Sequence, residues 1–548
     1  MLNHHSEIFN GLNDAQKQAV TTTLGPVLVV AGPGTGKTLT IVRRIAHLIH
    51  QGVKPENILA VTFTNRAARE MKERVTALLG DACRGIFIGT FHLLGLRIIS
   101  DHRTDDFTIV NREEQIELLK ELVKGPKKKA RQVCERISRI KNFLEAAENP
   151  LEADDGGSRE FNDIFKSYHA ALKHRNAVDF DDLVKTPIEL LEDNDKAQIY
   201  KERFQYIIVD EYQDINPAQY RLLRLLLNSS SNLCAVGDSD QAIYAFRGAD
   251  IGNFLNFERD FPQAVRITLS NNYRSTGTIA KASDSVIRHN RKRIDKTLSA
   301  TRAQGDSITV LSLPDDRAEG ELIIREIEAR MGGTSHDQMR RNEAVRDYAD
   351  CSCRFSDFAV IFRTNAQAKT LEEAFSASGI PYQVIGRKSG VKTRELDETT
   401  AFLRSLINPG EDAEPRESGG REAKLLTSAD YFDPRADAVA LMTMHMAKGL
   451  EFPVVFMAGC EDGLVPCTIM KDGVDIEEER RLFYVGMTRA KDVLFLLHAR
   501  NRFLYGQRLP ALPAPFLAEL PDSLVERRVM QAKEKKEKAK DRQMGLFS

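Results

Sequence analysis

The sequence predicts an α/β protein built on parallel sheets in two lobes, on three observations. Residues 27–38 read as a buried strand that breaks into a glycine-rich loop ending Gly36-Lys37-Thr38, after which Ile41, Ile45, Leu48 and Ile49 recur at helical spacing. Tyr206-Ile207-Ile208-Val209 is a second apolar strand run, closed by Asp210 and Glu211. From about residue 271 the strand-loop-helix plan repeats at 358–362, 439–443, 454–457 and 493–497, with no second Gly-Lys-Thr.

Size and composition bound the rest. A chain of 548 residues, 42% hydrophobic and 29% charged, has room for several cores of a globular protein. Its net charge of −1 means that any nucleic-acid contact comes from a local basic groove, not from the overall field. The seven cysteines are an odd, scattered set and read as reduced core thiols of a cytoplasmic protein; Cys351-x-Cys353 lacks a second pair at metal spacing. No signal-peptide pattern opens the chain and no apolar run has spanning length, so nothing points to a membrane.

In chain order, 12–20 reads as a short helix capped by Asn13 or Asp14, carrying Gln16, whose amide can pair with both donor and acceptor of an adenine edge. The loop Gly32-Pro33-Gly34-Thr35-Gly36-Lys37-Thr38 is a phosphate cradle, with Ala31 where the first glycine of the usual pattern stands. Lys37 reaches the outer phosphates, and the Thr38 hydroxyl is placed to hold Mg²⁺ at a helix N-terminus. Ile58-Leu59-Ala60-Val61 opens into Thr62-Phe63-Thr64-Asn65; 86–88 opens into Thr90-Phe91-His92. Such loops at strand C-termini are where ligands bind, and Phe63 suits base stacking, although Phe63 and Phe91 read equally well as core. Residues 94–196 turn helical and charged and read as an inserted subdomain, most basic at 127–131. The sheet then resumes. Asp210 at a strand end is where a phosphoryl-transfer site needs its Mg²⁺ ligand, and Glu211 beside it can polarise a water. Another strand, 233–236, leads to Asp238 and Gln241, which could sense a γ-phosphate, and then to Tyr244, Phe246 and Arg247, a stacking platform close by.

With these stretches in place, the chain resembles superfamily 1 helicases of the UvrD/Rep/PcrA type. Asn272-Tyr273-Arg274-Ser275, the run 379–386, Thr443-Met444-His445-Met446-Ala447-Lys448-Gly449-Leu450-Glu451-Phe452 and the run 479–490 follow the family's order across nearly the whole chain. The resemblance implies two RecA-like motor domains, assigned to 1–93 with 197–270 and to 271–386 with 434–515. It implies ATP and Mg²⁺ as cofactors and 3′-to-5′ movement on single-stranded DNA and its junctions, in repair or replication restart. By the same resemblance, Gln16 reads adenine and Tyr273 stacks on it, Lys37 and Thr38 take phosphates and Mg²⁺, Asp210 holds Mg²⁺ and Glu211 is the base. Gln241 and Arg247 contact the γ-phosphate, Arg274 and Arg489 are arginine fingers, and Glu451 meets the ribose. Phe63, Tyr244 and Phe246 stack on bases, and Thr64, Asn65, Thr90, His92, Thr443 and His445 lie near the strand. Many relatives carry Trp where Phe246 stands; this chain has none.

Two regions depart from the pattern. The interval 387–433 is short and polar where relatives carry a large insertion, which implies a minimal motor and leaves open a translocase that displaces proteins with little unwinding. Beyond about 515 the chain reads as a flexible charged tail, 516–548, ending Gln543-Met544-Gly545-Leu546-Phe547-Ser548. Gln543, Leu546 and Phe547 resemble the bacterial sliding-clamp-binding peptide, and a clamp-tethered, nucleotide-switched DNA-binding protein is the reading from a different class.

Overall fold

The computed structural model describes residues 4–103, 105–144, 157–228, 232–332, 353–386, 432–469, 473–504 and 506–531. The clamp-like peptide, the charged stretch from residue 532 that leads to it and nearly all of the interval 387–433 lie outside these residues.

Six parallel strands form the first sheet, in spatial order Phe87–Gly89, Ile58–Val61, Tyr206–Val209, Asn232–Gly237, Val27–Ala31 and Val265–Leu269. Every residue of Val27–Ala31 and Ile58–Val61 is buried, as expected of strands covered by helices on both faces. Because the strands are parallel, the loops that follow five of them, at Gly32, Thr62, Thr90, Asp210 and Asp238, emerge at one edge.

The second sheet has seven parallel strands: Tyr382–Val384, Val439–Thr443, Phe358–Phe362, Phe452–Met457, Ala490–Ala499, Ile308–Leu313 and Val525–Val529. Helices Gly277–Ile287 and Ile476–Met487 pack on one side of it, and Asp316–Arg330 and Asn365–Ser378 on the other.

Three boundaries differ from the sequence reading. Helices Phe91–His102 and Asp182–Leu191, expected within the insertion from residue 94, share the first lobe's core: Leu94, Ile98, Val184 and Ile188 pack with Leu28, Leu59 and Val209. Helix Asn194–Arg203 joins them through Ala197 and Tyr200. The insertion therefore begins and ends closer in, on a two-stranded parallel clip of Thr108–Val110 and Ala177–Asp179. Lys141, fully buried, reaches Asp179 at 2.6 Å and Asp182 at 2.7 Å, tying the insertion's helix Lys127–Phe143 to the lobe. Finally, the tail starts later than residue 516. Phe516, Leu517 and Leu520 are buried in the second lobe's core, and Val525–Val529 is its edge strand. The charge of Glu526, Arg527 and Arg528 is what an edge strand carries on its free side, which makes it read as a tail.

Candidate active site and nucleic-acid interface

Between the lobes lies one continuous cleft of about 1580 Å³, lined by the glycine-rich loop, both aromatic-bearing loops of the first lobe, and Tyr273, Arg274, His445, Lys448, Glu451 and Arg489 of the second. The cradle turns through Gly34 and Gly36, with φ of +69° and +83°. A Cβ on Gly34 would lie 2.5 Å from the Arg274 Cβ, so glycine is what lets the loop meet the second lobe. The Tyr273 N–H donates to the Gly34 carbonyl at 2.9 Å, closing that contact.

At the strand end beside the cradle, Lys37 donates to Glu211 at 3.1 Å, while Lys448 approaches the other Glu211 oxygen at 3.3 Å. Lys448 also pairs with Asp214 and donates to the Gln241 carbonyl at 2.8 Å. Burial acts upward on the Glu211 carboxyl, but the two lysines outweigh it and hold it well below the usual range. Burial, reinforced by the Glu211 charge, pushes Asp210 up to about 7. Asp214, wholly enclosed, also rises to about 7 despite its lysine partner, whose charge is shared between two carboxylates.

Across the cleft, Arg274 pairs with Glu451 at 2.6 Å and donates to the Thr488 carbonyl at 3.3 Å. Arg274 and Lys491 overcome the effect of burial and hold Glu451 at about 2. Arg489 is held by the Val485 and Leu450 carbonyls at 2.9 and 3.1 Å; burial, then the neighbouring Arg274, pull its guanidinium down to about 9, still charged at neutral pH.

Gln16 is buried behind the cradle, where its Nε2 donates to the Thr35 carbonyl at 3.0 Å and its Oε1 accepts from Asn13 N–H at 3.0 Å. Each end of the amide keeps one further valence for an adenine edge. Asn13 also donates to the Tyr273 hydroxyl at 2.8 Å, so the two candidate adenine contacts are joined.

The aromatic platform is continuous. Phe63 stacks on Tyr244 with centroids 4.6 Å apart, Tyr244 lies 6.0 Å from Phe246, and Phe246 meets the edge of His445 at 5.2 Å. Phe246, on the short turn Ala245–Arg247, is 60% exposed, an outlay of apolar surface that a folded core does not explain. Thr64 and Thr90 cap helices Asn65–Leu79 and Phe91–His102, accepting from Ala67 and Leu93 N–H groups, and so aim two helix N-termini at the same groove. Asn65 and His92 line it; burial lowers His92 to about 4, and burial with Arg363 and Arg247 lowers His445 to about 3.

Two further residues take partners within the fold. Arg247 lies over the Tyr244 and Phe246 rings at 5.4 and 5.6 Å, in the cleft that it shares with the phosphate cradle. Thr443 turns its hydroxyl to the Met446 N–H at 3.4 Å, bracing the loop that carries His445. Two residues were missed. Lys448 stands inside the run Thr443–Phe452, where nothing in local spacing assigns it a task. Gln213, fully buried, donates to Glu211 and accepts from Asp238 N–H at 2.9 Å, linking two strand ends; its only signal was its place between Glu211 and Asp214.

Comparison with known proteins agrees with this geometry. The UvrD/REP helicase N-terminal domain matches residues 12–262, and the UvrD-like helicase C-terminal domain matches 267–416 and 421–501. The ATP-dependent DNA helicase PcrA of Staphylococcus aureus (strain Mu50) is 33% identical over 658 aligned positions, covering 95% of this chain and 87% of the relative. The PcrA of Staphylococcus epidermidis is 32% identical with the same coverage. With both halves matched in order around a single cradle and a facing arginine pair, the chain belongs to the UvrD/Rep family of superfamily 1 helicases.

Proposed function

We propose that the protein is an ATP-dependent DNA helicase that moves 3′-to-5′ along single-stranded DNA and serves repair or replication restart. The observation that carries the reading is the single cleft joining the phosphate cradle to the aromatic platform through Gln241, Lys448 and Tyr244. The donor set fits a divalent cation beside a polyphosphate: Asp210 is a buried carboxylate whose charge burial opposes, and Thr38 offers a hydroxyl in the same cleft. Thr38 and Asp210 would hold Mg²⁺, which supplies charge neutralisation at the phosphate oxygens. Lys37, drawn to the incoming phosphates, leaves one Glu211 oxygen free to take a proton from the attacking water while Lys448 and Gln213 keep the other. Arg274 and Arg489 face the same space and oppose the charge that develops as the phosphoryl group departs. Gln241 couples the phosphate end to Tyr244 and Phe246, so closure and reopening of the lobes change the grip on stacked bases.

Hydrolysis is measured with and without single-stranded DNA, beside Lys37→Ala, and strand separation on 3′-tailed and 5′-tailed duplexes. DNA-stimulated turnover, lost in the variant, with separation from the 3′ tail alone is the expected result. Separation from the 5′ tail alone overturns the polarity, and stimulated turnover with protein displacement but no separation favours the translocase that the short 387–433 interval leaves open. The peptide Gln543, Leu546 and Phe547 is proposed to bind a bacterial sliding clamp; retention on immobilised clamp should vanish in Leu546→Ala/Phe547→Ala.

A further inference from the structure

Gln241 does not point at the cradle unaided. Its Nε2 donates to one oxygen of Asp238 at 2.6 Å, and the other Asp238 oxygen accepts from Lys296 at 2.5 Å. Lys296 also pairs with Asp240, which takes the Arg293 guanidinium as a fork at 2.9 and 2.8 Å. All four charged side chains are buried, the most accessible being Arg293 at 6%.

The lysine arrives from the far side of the cleft. The stretch 288–297 follows helix Gly277–Ile287 of the second lobe and is fastened there: Asn290 donates to the Glu477 carbonyl at 2.8 Å, and the Arg291 and Lys292 N–H groups reach the Glu477 carboxylate at 2.9 and 3.1 Å. It then crosses to the first lobe, where Ile294 N–H donates to Ser239 at 3.1 Å and the Ile294 side chain packs against that lobe's core. The segment is a strap anchored in both lobes, with Lys296 near its first-lobe end.

We propose that Lys296 is a positioning residue for Gln241: by gripping Asp238 it fixes which end of the Gln241 amide faces the nucleotide, and so ties γ-phosphate sensing to the strap between the lobes. The inference rests on the ATP-driven reading above. Neutralising two buried aspartates is a simpler role, but Arg293 already serves Asp240 with two bonds. Lys296 bonds the same carboxylate that orients Gln241. Without Lys296 the Asp238 carboxylate is a buried charge with no cation on its second oxygen, and nothing from the strap holds it against the Gln241 amide.

The test is a double-mutant cycle on the full chain, reading DNA-stimulated kcat and the KM for ATP in Lys296→Met, Gln241→Ala and both together. Lys296→Met is expected to lower stimulated kcat about tenfold with KM changed less than about twofold, and to cause no further loss when Gln241 is already Ala. Losses that multiply, or a kcat within about twofold of the unmodified chain, overturn the inference. Thermal unfolding checks each variant. If Lys296→Met does not fold, Asp238→Asn/Lys296→Met enters the same cycle: it removes one charge of each sign, and an amide at 238 can no longer dictate the orientation of Gln241. An unmodified chain that DNA does not stimulate overturns the helicase reading and this inference with it. A stimulated chain with independent losses overturns this inference alone.

Discussion

Glu211 occupies a left-handed backbone conformation, φ +51°, between two lysines from opposite lobes. The strained turn aims its carboxylate into the cleft, and the lysines keep it charged. Glu211→Gln should therefore cut turnover by about 10²–10⁴-fold while nucleotide binding persists, as read by single-turnover hydrolysis beside ADP titration. The buried imidazoles give a pH signature. His92 titrates near 4 in the fold against an ordinary value of about 6.5, so the unfolded chain takes up a proton the folded one refuses as pH drops through 6.5. That contribution to stability is lost on the way down to about 4. In His92→Gln the fall in unfolding midpoint between pH 7 and pH 5 should be smaller than in the unmodified protein. At this scale the sequence was most legible where one motif carries one job: Lys37, Asp210, Arg274 and Arg489 all line the cleft as expected. It was least legible where a residue's task depends on a partner far along the chain. Lys448 is 234 positions from Asp214, and local spacing says nothing of that pair.

The turn Ala245–Arg247 is three residues long, yet it holds Phe246 in the open with Arg247 braced across two rings. Phe246→Ala should weaken single-strand binding by about 1–3 kcal/mol, the worth of one stacked base, measured by anisotropy of a labelled oligonucleotide. Because the chain has no tryptophan, Phe246→Trp introduces a single one, excited apart from the tyrosines, whose emission should quench as bases stack on it. Helix pairing offers a second case. Gly95 sits where helix Phe91–His102 crosses Asp182–Leu191, and a Cβ there would fall 1.6 Å from the Leu183 carbonyl oxygen. Gly95→Ala should force the helices apart and destabilise the first lobe by about 1–3 kcal/mol or more, seen as a lower denaturant midpoint. Apolar periodicity revealed both helices but not which core they join, since an amphipathic face looks the same against a sheet as against another helix.

Across the molecule, most strands of the two sheets were visible as runs of apolar residues, and four were missed: Val265–Leu269, Ile308–Leu313, Tyr382–Val384 and Val525–Val529. Tyr382–Val384 is short and half-buried, and Val525–Val529 is charged on its free side. Two truncations separate the corrected boundary from the one the composition suggested. A chain ending at residue 531 should keep DNA-stimulated hydrolysis, whereas one ending at 515 loses the edge strand and uncovers the pocket filled by Phe516, Leu517 and Leu520, and should not give soluble active protein. The same edge strand has a bearing on biosynthesis. The first sheet receives its last strand at residue 269, the second only at residue 529, so a nascent chain emerging at about 5–20 residues per second holds a finished first lobe for roughly 13–50 s before the second can close. For most of that interval the phosphate cradle stands without Arg489 and the rest of the second lobe, and the first lobe must keep its shape, and avoid other nascent chains, by its own core alone.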